Sequence, residues 1–154
     1  MIATMADVKI LAELYTKLGN GTPTTATTGE LGDIYVDIDS ESATYGNSYL
    51  LTDITGGVYT WEQETTDDAR IGLFLRRAEQ DYLRIRGRAF DVDDDDDTVY
   101  PEGADLVAAE MVCYLLGAYE GRGISSERFK SYEKKYMGYP YSIVGQIERF
   151  VEVV

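Results

Sequence analysis

The sequence predicts a mainly α fold, a small bundle of about four helices that carries an inserted small antiparallel β-sheet. Apolar residues recur at three- and four-residue steps outside residues 19–65, whereas that segment is rich in Thr, Gly, Tyr and Asp. With 154 residues and 44% hydrophobic residues, the chain suits one domain, or one domain with an insertion. We therefore expect a helical body, residues 1–18 and 66–154, and an inserted β-rich module, residues 19–65.

Residues 5–18 are predicted to form a first helix, because Val8 and Leu11 begin an apolar stripe at helical spacing. Asp7 is the expected N-cap, and Gly19 is the expected stop. The stripe would pack this helix against the other helices of the body.

The inserted segment differs from the rest of the chain in charge as well as in composition. It contains eight acidic residues and no Lys or Arg. Apolar and polar residues alternate in three runs, and the pairs Gly46-Asn47 and Gly56-Gly57 are typical of tight turns between strands. The predicted strands are residues 32–37, 48–52 and 58–62, after a flexible lead-in at 21–30.

Three further helices are predicted after the insertion. The second begins at one of residues 66–68 and ends near Arg86, with acids at its start and arginines at its end, as the helix dipole favours. The third begins at Pro101 and is apolar on most sides, which places it at the centre of the body. The last covers residues 142–154, and residues 129–139 before it form either a strand or an irregular arm.

Charge and composition exclude several classes of function. A formal net charge of −14 argues against a surface that wraps DNA by neutralising phosphates, and suits a wall past which DNA slides. The absence of histidine excludes Ser-His-Asp and Cys-His nucleophiles and histidine zinc sites. Cys113 is expected to be a buried core thiol. We predict no enzymatic activity, no cofactor and no membrane association, and synthesis in a cytoplasm.

An acidic run raises the possibility of calcium binding. Six carboxylates fall within residues 91–97, and counting from Asp91 puts acids at positions 1, 3, 5 and 7 and Glu102 at position 12, the oxygen spacing of an EF-hand loop. The position that requires glycine is occupied by an aspartate, and a proline precedes the last acid. We therefore favour a solvated or partner-facing acidic loop. The alternative calcium ligands are Asp91, Asp93, Asp95 and Glu102.

Two groups of residues are candidates for contacts between copies of the chain. Three arginines recur at seven-residue steps on one flank of the second helix. They are either ordinary surface charges with local partners such as Asp81, or a basic edge that meets an acidic edge of the next copy. Tyrosines, which are enriched at interfaces, cluster near the end of the chain. The candidate subunit-interface residues are Arg70, Arg77, Arg84, Tyr132 and Tyr136.

Short motifs follow one another in a characteristic order in the C-terminal half. Pro-Glu-Gly at residues 101–103 opens the central helix, Gly-Ile-Ser-Ser-Glu at 123–127 forms a turn, and Tyr-Pro-Tyr-Ser-Ile at 139–143 leads into the last helix. A short helix and a longer helix that ends in Arg-Gly precede them. In this order the motifs resemble the head–tail connector (adaptor) proteins of long-tailed bacteriophages.

The resemblance implies a structural virion protein that completes the head. Such a protein would form a homo-oligomeric ring of about twelve subunits between the portal and the stopper or tail. The ring would help to retain and pass DNA without binding it specifically, after synthesis in the bacterial host cytoplasm. By resemblance, the last helix and tail bind the portal protein. The corresponding candidate residues are Ile143, Ile147, Phe150, Val151, Val153 and Val154.

Two other functions stay open. The pattern Gly-x-x-Gly-Asp-Ile-Tyr-Val-Asp at residues 29–37, followed by Tyr-Thr-Trp-Glu at 59–62, looks like short β-modules of phage tail-fibre and adhesin-like proteins. This likeness implies a carbohydrate- or surface-binding virion protein that acts through the β insertion. A calcium-dependent binding module is the third possibility.

Overall fold

In the computed structural model of this chain, residues 1–119 and 139–147 are described. The chain divides into two compact units. The first, which we call the sheet unit, comprises Thr4–Arg70, and the second, the helical unit, comprises Met1–Ala3 and Ile71–Val154. The first helix therefore belongs to the sheet unit, whereas the predicted division grouped it with the helical body.

The prediction of a mainly α bundle is wrong. The described residues contain four helices and six strands, and four of these strands form one mixed sheet. The helices are α1 (Met5–Leu11), α2 (Asp68–Arg86), α3 (Ala104–Tyr119) and α4 (Tyr141–Val144). The strands are β1 (Lys17–Gly19), β2 (Ile34–Asp37), β3 (Ser48–Thr55), β4 (Val58–Glu64), β5 (Asp91–Val92) and β6 (Thr98–Val99).

The first helix is shorter than the apolar stripe suggested. Its N-cap is Thr4, whose Oγ1 accepts from the Asp7 backbone N–H at 3.2 Å, while the Asp7 carboxylate accepts from the Thr4 N–H at 2.8 Å. The helix ends at Leu11, and Glu13 follows with a φ of 55°. Leu18, the last residue of the predicted helix, lies in β1 instead.

Pairing with a distant segment makes β1 a strand. It runs parallel to β2, with Lys17 opposite Tyr35. Just before it, the Thr16 N–H donates to the Ile34 carbonyl at 2.9 Å, and the Ile34 N–H donates to Thr16 Oγ1 at 2.7 Å. The apolar spacing near the N-terminus fits a long helix as well as a helix followed by a strand, and this distant pairing decides between them.

The three predicted strands are confirmed as β2, β3 and β4, which pair antiparallel in chain order. The β3–β4 hairpin turns at Gly56 and Gly57, whose φ values are 59° and 78°. A two-residue turn of this kind needs positive φ at both positions, which glycine adopts without strain. With β1 added in parallel, the sheet is mixed and has the order β1-β2-β3-β4.

Aromatic side chains form much of the core of the sheet unit. The Tyr35 ring packs edge-on against Tyr49 and Trp61, with centroid separations of 6.3 and 5.8 Å. The Trp61 indole N–H donates to the Thr27 carbonyl, and the Tyr35 hydroxyl donates to the Gly21 carbonyl, both at 2.9 Å. The segment expected to be a flexible lead-in is therefore hydrogen-bonded to the side chains of the sheet.

The buried side chain of Lys9 joins three parts of the sheet unit. It extends from α1, donates to the Gly46 carbonyl at 2.7 Å, and places its ammonium nitrogen 2.8 Å from the Asp68 carboxylate. Gly46 has a φ of 82°, and a Cβ at this position would meet the backbone nitrogen of Ala6 at 3.2 Å. Glycine is therefore required where the loop approaches α1.

The helical unit buries apolar side chains of α2, α3 and α4. Ile2 and Ala3 are also buried in it. On α2 the buried apolar residues are Ile71, Phe74, Leu75, Ala78 and Tyr82. On α3 they include Ala104, Val107, Ala108, Met111, Val112, Leu115 and Leu116. α4 packs against α3.

A cluster of aromatic rings anchors the β5–β6 hairpin. The Phe90 ring lies 5.8 Å from Tyr82 on α2 and 5.0 Å from Tyr100, measured between ring centroids. The guanidinium of the buried Arg86 lies 5.1 Å from the Phe90 ring centroid and donates to the Ala89 carbonyl. Because Phe90 and Tyr100 flank the hairpin, its base is fixed to the buried side of α2.

Replacing Lys9 with Met should lower the free energy of unfolding of the sheet unit by about 2–3 kcal/mol. The buried Gly46 carbonyl would lose its donor and Asp68 its partner. Urea unfolding followed by the fluorescence of Trp61, the single tryptophan, measures this loss. Lys17→Met is the control, because Lys17 donates to an exposed carbonyl, that of Thr28. Equal losses in both variants would contradict the role of Lys9.

Candidate interaction surfaces

One face of α2 carries cations on its solvent side. Leu73, Arg76, Arg77, Gln80 and Arg84 lie within about 100° of the helix circumference, opposite the buried residues, and we call them the arginine face. All five are exposed, Leu73 to 55%. An exposed leucine among three arginines combines apolar area with positive charge.

A single buried carboxylate orients two of these arginines. Asp81 lies 3.5 Å from Arg77 Nε and 3.8 Å from Arg84 Nη1. It also accepts a hydrogen bond of 2.7 Å from the Tyr139 hydroxyl. Among the described residues Arg77 and Arg84 form ion pairs with Asp81 alone, and Arg76 forms none. The arginine face therefore keeps a net positive charge.

The Tyr139 hydroxyl holds the segment before α4 onto α2. Burial, and then the hydrogen bond to the Asp81 carboxylate and its charge, raise the pKa of Tyr139 far above its usual value. Arg77 opposes this rise through its own charge. The hydroxyl therefore stays protonated and remains a donor to Asp81 throughout the physiological pH range.

The seven-residue step predicted only part of the arginine face. Arg77 and Arg84 belong to it, but Arg70 lies in the sheet unit and pairs with Asp67 at 2.9 Å. Arg76 was missed, although a 100° helical projection of α2 places it on the same face. The local partner Asp81 is confirmed. Tyr132 and Tyr136 lie outside the described residues.

The acidic run forms the turn of a two-stranded ribbon, residues 91–99, which we call the acidic hairpin. The Asp93 carboxylate accepts from the backbone N–H groups of Asp95 and Asp97, both at 2.9 Å. Asp96 adopts a φ of 64°, a conformation that aspartate tolerates better than most residues. Val92 and Val99 are exposed beside the turn, Val92 to 61%. The hairpin thus presents carboxylates between two exposed valines.

The predicted calcium ligands do not converge in this structure. Asp91, Asp93, Asp95 and Glu102 are all exposed, and the Asp93 carboxylate is occupied by backbone donors of its own turn. Within residues 1–119 and 139–147, no group of three or more His, Cys, Asp or Glu side chains is placed to hold a metal ion. The carboxylates are instead arranged as an exposed charged surface.

The predicted portal-binding stripe is only partly described. Ile143 and Ile147 are buried inside the helical unit, as is Val144 between them. These side chains therefore belong to the packing of the unit rather than to its surface. The other candidates of that stripe lie outside the described residues; they are Phe150, Val151, Val153 and Val154.

A buried carboxylate that the sequence did not single out organises the loops of the sheet unit. Asp37 at the end of β2 is fully buried and accepts from Thr44 Oγ1 at 2.7 Å and from the Gly21 and Asp39 N–H groups at 2.8 and 2.9 Å. Burial alone would raise its pKa, but hydrogen bonds from Ser42, Thr44 and these backbone donors outweigh burial and lower it. The carboxylate is therefore a structural acceptor.

Two further features bear on function. Cys113 was expected to be fully buried, but it is half-buried. Burial, together with the nearby charge of Glu110, raises its pKa to about 11. The thiol is therefore unreactive at neutral pH. The far end of the β3–β4 hairpin is exposed and carries the apolar side chains of Ile54 and Val58. None of the helices in the described part of the chain has the length and apolar content needed to cross a membrane.

Comparison with known proteins gives no relative: no protein-family model, curated protein or solved structure matches the chain.

Replacing Asp37 with Asn should destabilise the sheet unit by about 2 kcal/mol at neutral pH, because an amide cannot accept all these hydrogen bonds. The folded-state pKa of Asp37 is below its ordinary value of 3.8, so its contribution is complete above that pH and is lost as the pH falls through the folded-state pKa. The variant should therefore lose less stability on acidification than the wild type. Trp61 fluorescence during urea unfolding measures both, with exposed Asp53→Asn as the control. An unchanged acid dependence would contradict this role.

Millimolar calcium should leave the Tm of the protein equal to that measured in sodium chloride of the same ionic strength. Calcium then acts on the acidic hairpin only by screening, whereas specific binding to the folded state would raise Tm by mass action. Differential scanning calorimetry measures the effect. A calcium-specific rise that disappears in the Asp91→Asn/Asp95→Asn variant would establish a calcium site instead.

Proposed function

We propose that the chain is a structural protein that acts by assembling with copies of itself. More specifically, we propose that it is a head–tail connector of a long-tailed bacteriophage, a virion protein that forms a ring between the portal and the stopper or tail. The proposal assigns it no catalytic activity and no cofactor. It would be made in the host cytoplasm and incorporated at the head–tail interface.

The observation that carries this proposal is the presence of two unlike, exposed surfaces on the helical unit. The arginine face offers cations around the exposed Leu73, and the acidic hairpin offers carboxylates beside the exposed Val92. Head-to-tail contacts in a ring join two different surfaces of one protein, and complementary charge favours such pairing.

The overall charge and the order of motifs support the more specific assignment. A net charge of −14 would repel DNA phosphates, as suits a conduit that DNA passes without binding. The motifs at residues 101–103 and 139–143, which carry the connector resemblance, lie at the start of α3 and α4. The described part of the chain also contains β2, β3 and β4, which lie in the insertion that the resemblance does not cover.

A second candidate function is a surface-binding virion protein that acts through the sheet unit. The exposed end of the β3–β4 hairpin, with Ile54 and Val58, favours it. Stacking on sugars commonly uses exposed aromatic rings. Here the Trp61 ring is half-buried, and its N–H donates to the Thr27 carbonyl. The ring is therefore not free to stack on a sugar, which favours a protein partner over a carbohydrate. Ile54→Ser/Val58→Ser would then impair phage adsorption but leave assembly intact.

Sedimentation and native mass spectrometry should show a homo-oligomer, a ring of about twelve subunits if the connector resemblance holds. It should form either at high protein concentration or on addition of the cognate portal protein. Charge-complementary surfaces make the contact between copies, and the portal raises their local concentration. A chain that stays monomeric at high concentration and does not bind the portal would contradict the proposed function.

A further inference from the structure

We propose that the arginine face of α2 in one copy binds the acidic hairpin of a second copy. This inference names the two surfaces that meet in the proposed ring, and it rests on that proposed function. The occupant of the arginine face is therefore a defined segment of the same protein, residues 91–99 of a neighbour.

Charge supplies the first argument. Arg77 and Arg84 share a single local carboxylate, that of Asp81, and among the described residues Arg76 pairs with none, so the face has positive charge left for a partner. The acidic hairpin has six carboxylates within residues 91–97. Backbone N–H groups of the same turn donate to the Asp93 carboxylate. The carboxylates of the other turn residues are exposed to solvent. The arginine face thus has an excess of positive charge, and the acidic hairpin has an excess of negative charge that can pair with it.

Apolar contacts supply the second argument. Leu73 lies on the arginine face with 55% of its surface exposed, and Val92 and Val99 are exposed on the ribbon that carries the acidic turn. Interfaces between proteins typically combine an apolar centre with charged groups around it, and arginine is enriched in them. The three side chains supply apolar area at the centre of the proposed contact.

The geometry of α2 makes the contact intermolecular. Tyr82 is nine residues beyond Leu73, so at 100° per residue the two point to opposite sides of the helix. Phe90, at the base of the hairpin, stacks on Tyr82, 5.8 Å between centroids. The hairpin of a given chain is therefore anchored on the side of α2 away from its own arginine face. Each copy then keeps one free surface of each kind, which allows a ring to grow and close.

Charge reversal on each surface tests the proposal. Arg76→Glu/Arg84→Glu should weaken self-association at least about tenfold, and Asp94→Lys/Asp95→Lys should do the same, because like charges would then face each other. Asp93 and Asp96 are left unchanged since they shape the turn. The quadruple variant, in which both surfaces are reversed, should recover association. Sedimentation equilibrium measures association, and circular dichroism verifies folding.

Two control variants separate surface effects from net charge. Glu41→Lys/Glu62→Lys makes the same charge change as the hairpin variant but on exposed residues of the sheet unit, and it should not weaken association as the hairpin variant does. Arg76→Lys/Arg84→Lys keeps the charge of the face and should retain most of the association. If the control in the sheet unit weakens association as strongly as the hairpin variant, the inference is overturned.

The outcomes distinguish the inference from the proposed function. If the wild type forms rings that neither reversal disturbs, or if the quadruple variant stays as dissociated as the two reversals, the inference fails and the connector function stands. If the wild type is monomeric both alone and with the portal protein, both fail. If each reversal variant associates more weakly than the wild type and the quadruple variant recovers association, the inference is supported.

Discussion

The excess of negative charge is the constraint on which this structure depends. The chain has 28 acidic residues against 14 basic ones. Each buried cation therefore offsets part of the repulsion between carboxylates where segments of the chain pack together. Lys9 is buried where α1, the Gly46 loop and the start of α2 meet. Arg86 is buried against Phe90 at the base of the acidic hairpin. Buried cations are thus placed at the acidic start of α2 and at the base of the acidic hairpin.

The buried carboxylates differ from the buried cations because hydrogen-bond donors stabilise their negative charge. Asp37 is surrounded by hydroxyl and backbone N–H donors, which keep it ionised without a cation. Asp81 receives the Tyr139 hydroxyl and shares two arginines. These arrangements leave positive charge exposed on one face of α2 and negative charge exposed on the hairpin. The same distribution that permits folding therefore creates two complementary surfaces.

Local periodicity was enough to predict β2, β3, β4 and the long helices, because each extends over several turns or alternations. It could not predict β1, whose strand geometry comes from pairing with a segment eighteen residues further along the chain. For the acidic hairpin the sequence predicts only a loop, because the ribbon is short and the Asp93 carboxylate, not a residue pattern, shapes the turn. Burial of Lys9 and Asp37 depends on tertiary contacts that no local pattern records.

The head-to-tail contact between the arginine face and the acidic hairpin is the central claim, and disulfide cross-linking tests it most directly. Two proteins would be prepared on a Cys113→Ala background, one with Gln80→Cys and the other with Asp95→Cys. Both positions are exposed, and each lies at the centre of its surface. Oxidation of the mixture should mainly join position 80 of one copy to position 95 of another. A predominance of disulfides between identical positions, or none above the level of a monomeric control, would contradict the claim.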